Sequence, residues 1–258
     1  TTIMKFNSAF LILFILEFVI VLYWTIFSLF TEYTGIEDST AYVKINVGGL
    51  GTGKTYKAAR EIIKKGKKLW FWMRLKHKLC KYPGFKWLYD EEEEATIKHY
   101  YNLDYKKQRI LPLIYSNITL YRDIKVKTGI WRKRKVRFRS QRIEQLEDLL
   151  SPDIHTIENW DSLQDKVKLE WKQLKENKFP YGSLFFIDEV GSWISQYENK
   201  NTTNKSSGVR QLLIAQFEKW VRFMRHFGDF KLWTTDQVTS DVYKGLRARV
   251  SKITQCVA

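Results

Sequence analysis

Residues 46–55 read Asn-Val-Gly-Gly-Leu-Gly-Thr-Gly-Lys-Thr, and they restrict the fold more than any other stretch. A glycine, four residues and then Gly-Lys-Thr is the spacing of a phosphate-cradling loop. That loop works only between a strand and a helix. Both flanks are present: Ala41–Val47 has β-branched residues and no breaker, and the segment after Lys54 is rich in helix formers. The spacing assigns Gly48, Gly49, Leu50, Gly51, Thr52 and Gly53 to a backbone that curls its N–H groups toward phosphate oxygens. Lys54 is placed to reach the β and γ phosphates of ATP, and Thr55 to offer a hydroxyl to Mg²⁺.

A loop of this kind needs a second strand that delivers an acid to the same edge. Ser183–Gly191, Ser-Leu-Phe-Phe-Ile-Asp-Glu-Val-Gly, supplies it. The apolar run predicts a strand buried on both faces, ending in Asp188 as magnesium ligand and Glu189 as the group that orients or deprotonates water. Further strands are expected near Ile110–Tyr115 and in Phe230–Gln237, with helices over residues 54–66 and 211–228. The order predicts an α/β P-loop NTPase with a mostly parallel central sheet flanked by helices, over residues 41–258.

Before that domain stands Ala9–Phe30, twenty-two residues with one charge and neither Gly nor Pro. As a helix it would rise about 33 Å, enough to cross a hydrocarbon core of about 30 Å. The expectation is a tail over 1–8, a single transmembrane helix over 9–30 and a linker over 31–40. An ATP-dependent domain then faces the cytoplasm. Glu17 lies mid-span, where an acid either pairs with another helix or is protonated. Charge separates the two parts. The chain carries +16; residues 1–40 hold Lys5 against Glu17, Glu32, Glu37 and Asp38, or −3, so the remainder carries +19. Such a surface suits a polyanion or an anionic membrane face as readily as plain solvation. The two cysteines, Cys80 and Cys256, lie far apart, without metal spacing.

Two insertions are expected, near 67–109 and 122–182. In the first, Leu69–Trp87 interleaves aromatic and basic residues. That pattern serves a lipid interface, base stacking or ordinary packing. Asp90–Glu94 then reverses the charge. In the second, Trp131–Ser140 is densely basic, with Val136 and Phe138 inside it, and reads as a basic strand or hairpin or as a solvated loop. Residues 141–178 read as largely helical, and 198–208 as a polar loop.

Taken together, Gly-Thr-Gly-Lys-Thr at 51–55, Ile-Tyr-Ser-Asn at 114–117, Phe-Phe-Ile-Asp-Glu-Val-Gly at 185–191 and the block from Arg225 to Val250 resemble the zonular-occludens-toxin-like ATPases. That family includes the assembly and extrusion ATPases of filamentous phages. The resemblance covers about 41–255, the middle insertions excepted. It implies membrane-bound ATP hydrolysis driving export of a single-stranded DNA phage, as a homo-oligomeric ring, with six subunits expected. The partners it implies are the phage DNA, coat proteins and the host cell membrane. It also assigns Gln237 as a polar sensor at a strand end and Arg247, or Arg249, as a group acting across a subunit boundary. DNA contact or surface solubility accounts for those arginines equally well. The best-known members carry the membrane helix after the ATPase domain; here it comes before. Two other functions stay open: a DNA translocase for plasmid transfer or viral packaging, and a nucleotide-gated scaffold that recruits coat proteins.

Overall fold

The computed structural model describes residues 17–21, 23, 42–127, 133–149, 179–194 and 205–256. The chain divides into two units, 1–41 and 42–258. Of the expected transmembrane run, only residues 17–21 and 23 are described; they are helical and exposed. The tail, the linker and the rest of that run lie outside the described residues. Among the described residues no helix is long and apolar enough to cross a membrane.

In chain order the second unit begins with β1 (Val43–Val47) and α1 (Lys54–Leu79). A 3₁₀ turn (Pro83–Leu88) and α2 (Glu91–Asn102) follow. Then come β2 (Ile110–Ser116), β3 (Tyr121–Lys127), β4 (Lys133–Arg142) and a 3₁₀ turn at Leu146–Leu149. The last part holds β5 (Leu184–Ile187), α3 (Val190–Trp193), α4 (Lys205–Gly228), β6 (Lys231–Asp236), α5 (Lys244–Arg247) and β7 (Lys252–Gln255). The strands form one sheet in the order β3-β4-β2-β5-β6-β1-β7. Five of its six pairings are parallel, and β3 with β4 is antiparallel. The α/β class with a mostly parallel sheet flanked by helices is therefore observed.

Alternation along the strands divides the core. Val43, Ile45, Val47, Phe185, Ile187 and Leu232 face one way, against Ile214, Phe217, Trp220, Val221 and Met224 of α4. Leu184, Phe186, Trp233 and Ile114 face the other way, against Ala58, Ile62, Trp70 and Met73 of α1. Both helices show the three- and four-residue spacing of a buried stripe. Parallel strands covered on both faces read as continuous apolar runs, as Leu-Phe-Phe-Ile does.

The structure corrects two readings and settles a third. Gly66 does not end the first helix, which runs on to Leu79. A Cβ at Gly66 would stand 2.9 Å from Ile114 Cδ1, so this glycine serves close approach of helix and sheet. The aromatic-basic segment is thus partly the second half of α1, and Asp90–Glu94 opens α2. Asp90 accepts from the N–H groups of Glu92 and Glu93, and the four glutamates fill the first turn, where the helix dipole favours acids. The expected polar loop over 198–208 is helical from Lys205. Most of the helix expected over 141–178 lies outside the described residues.

Candidate functional site

All six parallel strands end at one edge of the sheet. The loop after β1, the acids after β5 and the end of β6 meet there because β6 lies between β1 and β5. Val47 pairs with Asp236, and Ile187 with Thr234, so the residues that follow emerge side by side.

The loop is shaped by close contacts. Gly48 N donates to Asp236 O at 3.3 Å. A Cβ on Gly48 would lie 2.6 Å from Cys256 O and 2.6 Å from Thr52 Oγ1, so no other residue fits without moving β7. Gly53, at φ 69°, turns the chain into α1 from the left-handed region, which costs a glycine little. The N-terminus of α1 has no side-chain cap and no acid in its first turn. Its leading N–H groups and dipole are therefore directed at the loop, as an anion site requires. Lys54 is buried, and its Nζ donates to Gly48 O at 3.1 Å. Leu50 marks the exposed tip.

Across the loop, Thr55 Oγ1 donates to Asp188 Oδ1 at 2.8 Å. The same carboxylate oxygen accepts from Thr235 Oγ1. Asn117, just beyond β2, grips the Asp188 backbone twice. Its Oδ1 accepts from Asp188 N at 2.8 Å, and its Nδ2 donates to Asp188 O at 2.9 Å. Glu189 is exposed and takes φ 52°, a conformation unfavourable for a side chain with a Cβ. It is held there by Thr235 Oγ1, which accepts from Glu189 N at 3.1 Å. Its own carbonyl accepts from Ser192 N at 2.9 Å. Asp236 is buried and accepts from Gly191 N and Gln237 N, both at 2.7 Å. It thereby ties β6 to the turn after β5 and brings exposed Gln237 to the same edge.

The donor set fits nucleotide and magnesium. A hydroxyl and a carboxylate already 2.8 Å apart are two hard oxygens. They match a cation that keeps several waters and takes few protein ligands. Among the described residues no group of three His, Cys, Asp or Glu could cage a metal. Lys54, Thr55, Asp188, Glu189 and Gln237 are brought together. Arg249 is not: it lines a cavity with Tyr42 and Val43, at the opposite end of β1. Arg247 closes α5, two residues before Arg249.

Sequence reasoning missed the supports, Asn117, Thr235 and Asp236. Their signal was present: each is a polar residue at the end of an otherwise buried strand. Which neighbour each would serve depends on strand order.

No family model matches the chain, and no curated protein matches it. Among solved structures, a HORMA:CdnC:Trip13 complex from E. coli MS115-1 contains a chain similar over 84% of this one, at 8% identity and a TM-score of 0.34. This chain spans 48% of that chain's length. A likeness so low carries no argument about activity.

Proposed function

We propose that the chain is a membrane-anchored, Mg²⁺-dependent ATPase of the P-loop class. In this reading it drives assembly and extrusion of a filamentous single-stranded DNA phage through the host cell membrane, as a homo-oligomeric ring with its ATPase domain in the cytoplasm. The observation that carries the ATPase reading is the 2.8 Å hydrogen bond from Thr55 to Asp188, which joins two motifs 133 residues apart. The phage role rests on the sequence resemblance.

In this reading the loop N–H groups of residues 48–53 and the N-terminus of α1 hold the phosphates, with Lys54 countering their charge. Thr55 and Asp188 supply oxygens to the metal. When bound, Mg²⁺ would supply charge neutralisation to the phosphates. Glu189 accepts the proton of the attacking water at its carboxylate, and Gln237 orients that water by hydrogen bonding. Asn117 and Thr235 hold Asp188 and the turn carrying Glu189, so that little reorganisation accompanies the reaction. Arg247 is assigned to a neighbouring subunit's site, where a guanidinium stabilises transition-state charge.

The β3–β4 ribbon supports the DNA partner. Register puts Tyr121, Asp123 and Lys125 on one face with Arg139, Arg137 and Lys135, all six exposed. Arg122, Ile124, Val136 and Phe138 turn the other way and are at least partly buried. Arg137 lies over the Tyr121 ring at 5.7 Å. Cations with an exposed aromatic suit a phosphate backbone and a stacked base.

The test is an infection in which Glu189→Gln replaces the native residue, beside ATP hydrolysis by the purified full chain. Hydrolysis should fall about a hundredfold or more, in the range of losing an acid–base group. Particles should vanish while single-stranded DNA accumulates in the cells. Normal release of particles would refute the motor and favour the coat-recruiting scaffold.

A further inference from the structure

The edge opposite the nucleotide loop carries a feature that ATP hydrolysis does not use. A cavity of about 270 Å³ is lined by Tyr42 and Val43 at the start of β1, Val221, Arg222, Met224 and Arg225 of α4, and Ala248, Arg249 and Ser251 before β7. Three of the nine lining residues are arginines and none is acidic. Arg222 and Arg225 are three residues apart on one face of α4 and are exposed. Arg249 is half-buried, and its Nε is buried with no hydrogen-bond partner among the described residues. A guanidinium donor left so is costly unless something accepts from it.

The floor of the cavity is rigid. Ser251 N donates to Val43 O at 2.9 Å, and Ser251 Oγ accepts from Val43 N at 3.5 Å, locking the Arg249 segment to the first strand. Arg225 Nε donates to His226 Nε2 at 3.2 Å, which leaves its two terminal nitrogens for another acceptor. The C-terminal end of α4 carries about half a negative charge and disfavours anions. Asp229, hydrogen-bonded to the lining residue Tyr42, adds a further carboxylate beside the cleft, and three guanidiniums outweigh the two together.

We infer that this cleft binds the phosphate of an anionic phospholipid headgroup. Guanidinium forks match phosphate oxygens in shape as well as charge. The choice of lipid as the source rests on the membrane reading above. Tyr42, which lines the cleft, follows directly on the segment that joins the apolar run to β1. Residues 31–41 can span at most about 40 Å. In that reading the chain enters the domain at a residue that lines the cleft, after a linker of residues 31–41. The anion site itself stands on the cleft alone.

The experiment uses the full chain in an uncharged detergent, with Lys54→Ala so that the nucleotide loop does not compete for phosphate. Binding of short-chain phosphatidylglycerol, short-chain phosphatidylcholine, inorganic phosphate and a single-stranded oligonucleotide is measured. Phosphatidylglycerol should bind and phosphatidylcholine should not. Arg222→Ala and Arg225→Ala should each weaken phosphatidylglycerol about tenfold, the usual loss for a charge-assisted hydrogen bond. Arg249→Lys, which keeps the charge in place, should weaken it less than Arg249→Ala. Circular dichroism of each variant separates loss of binding from loss of fold. Equal binding of the two lipids, or no loss in the folded Arg222→Ala/Arg225→Ala variant, overturns the site. Inorganic phosphate binding as tightly as the lipid overturns the lipid assignment in favour of a free anion. An oligonucleotide that displaces the lipid through the same arginines overturns it in favour of nucleic acid. Hydrolysis by the chain with native Lys54 is scored separately: if it is absent while phosphatidylglycerol binds, the ATPase reading falls and the cleft stands.

Discussion

At the C-terminal edge of the sheet, Asp188 takes hydrogen bonds from Thr55 and Thr235 while Asn117 grips its backbone, and buried Asp236 takes two more from Gly191 and Gln237. At the N-terminal edge, Arg249 Nε is buried without a partner among the described residues. The turn beyond α1 exposes Tyr82, Phe85, Trp87 and Tyr89. At the first edge the groups around Asp188 and Asp236 hold one another, although Asn46 and Thr234 Oγ1, buried beside them on β1 and β6, have no hydrogen-bond partner among the described residues. The other edge presents cations and aromatic rings outward. Polar groups locked by neighbours suit chemistry, because reorganisation is costly during reaction. Unspent donors and exposed rings suit a partner, because their interactions are completed only on contact.

The comparison breaks most easily at Lys54. Lys54→Ala should lower ATP hydrolysis about a hundred- to a thousandfold, the scale for losing one preorganised donor to a transferring group. Its thermal midpoint should change little, since the hydrogen bond from Lys54 Nζ to Gly48 O closes a loop outside the core. Retained hydrolysis in a phosphate-release assay would remove the C-terminal edge from the chemistry.

Asn117→Ala sharpens the same edge. It removes both clamps on Asp188 while leaving Thr55 in place. Magnesium dependence of hydrolysis should shift about ten- to a hundredfold toward higher concentration, as for other outer supports of a metal ligand. An unchanged magnesium titration would show that Asn117 supports the fold alone.

Glu93 tests the other end. It is buried in α2, with its carboxylate 2.8 Å from Lys76 of α1. Burial raises its pKa above the ordinary 4.5, and the Lys76 hydrogen bond opposes that shift. The folded state therefore binds more protons than the unfolded chain between 4.5 and the raised value. Stability contributed by this group is lost as pH rises through that window. In denaturant melts across it, the native chain should lose stability relative to Glu93→Gln as pH increases. A difference that stays flat would mean the carboxyl is not buried in solution.

The smallest effect is expected at Trp87. The residue is 66% exposed, and no residue of its 3₁₀ turn is buried. Trp87→Ala should change stability by less than about 0.5 kcal/mol. A loss above about 1 kcal/mol by chemical denaturation would show that this turn is packed, and the contrast between the edges would narrow.

The sequence by itself determined the local units. The strand, glycine loop and helix at 43–79 were legible because Gly48, Gly53, Lys54 and Thr55 have a fixed spacing. The apolar strand ending in Asp188 and Glu189 was legible because burial on both faces leaves an unbroken run of large side chains. Gly66 misled, since a glycine that ends a helix and one that lets a helix approach a sheet look alike without knowledge of Ile114. Only the tertiary structure decided that β6 lies between β1 and β5. That order makes Thr235 and Asp236 neighbours of the acids and sends Arg249 to the far edge, beside Arg222 and Arg225. The physical reason is range. Periodicity and spacing report contacts within a turn or a strand, whereas hydrogen bonds such as Thr55 to Asp188, 133 residues apart, follow from how the sheet is ordered.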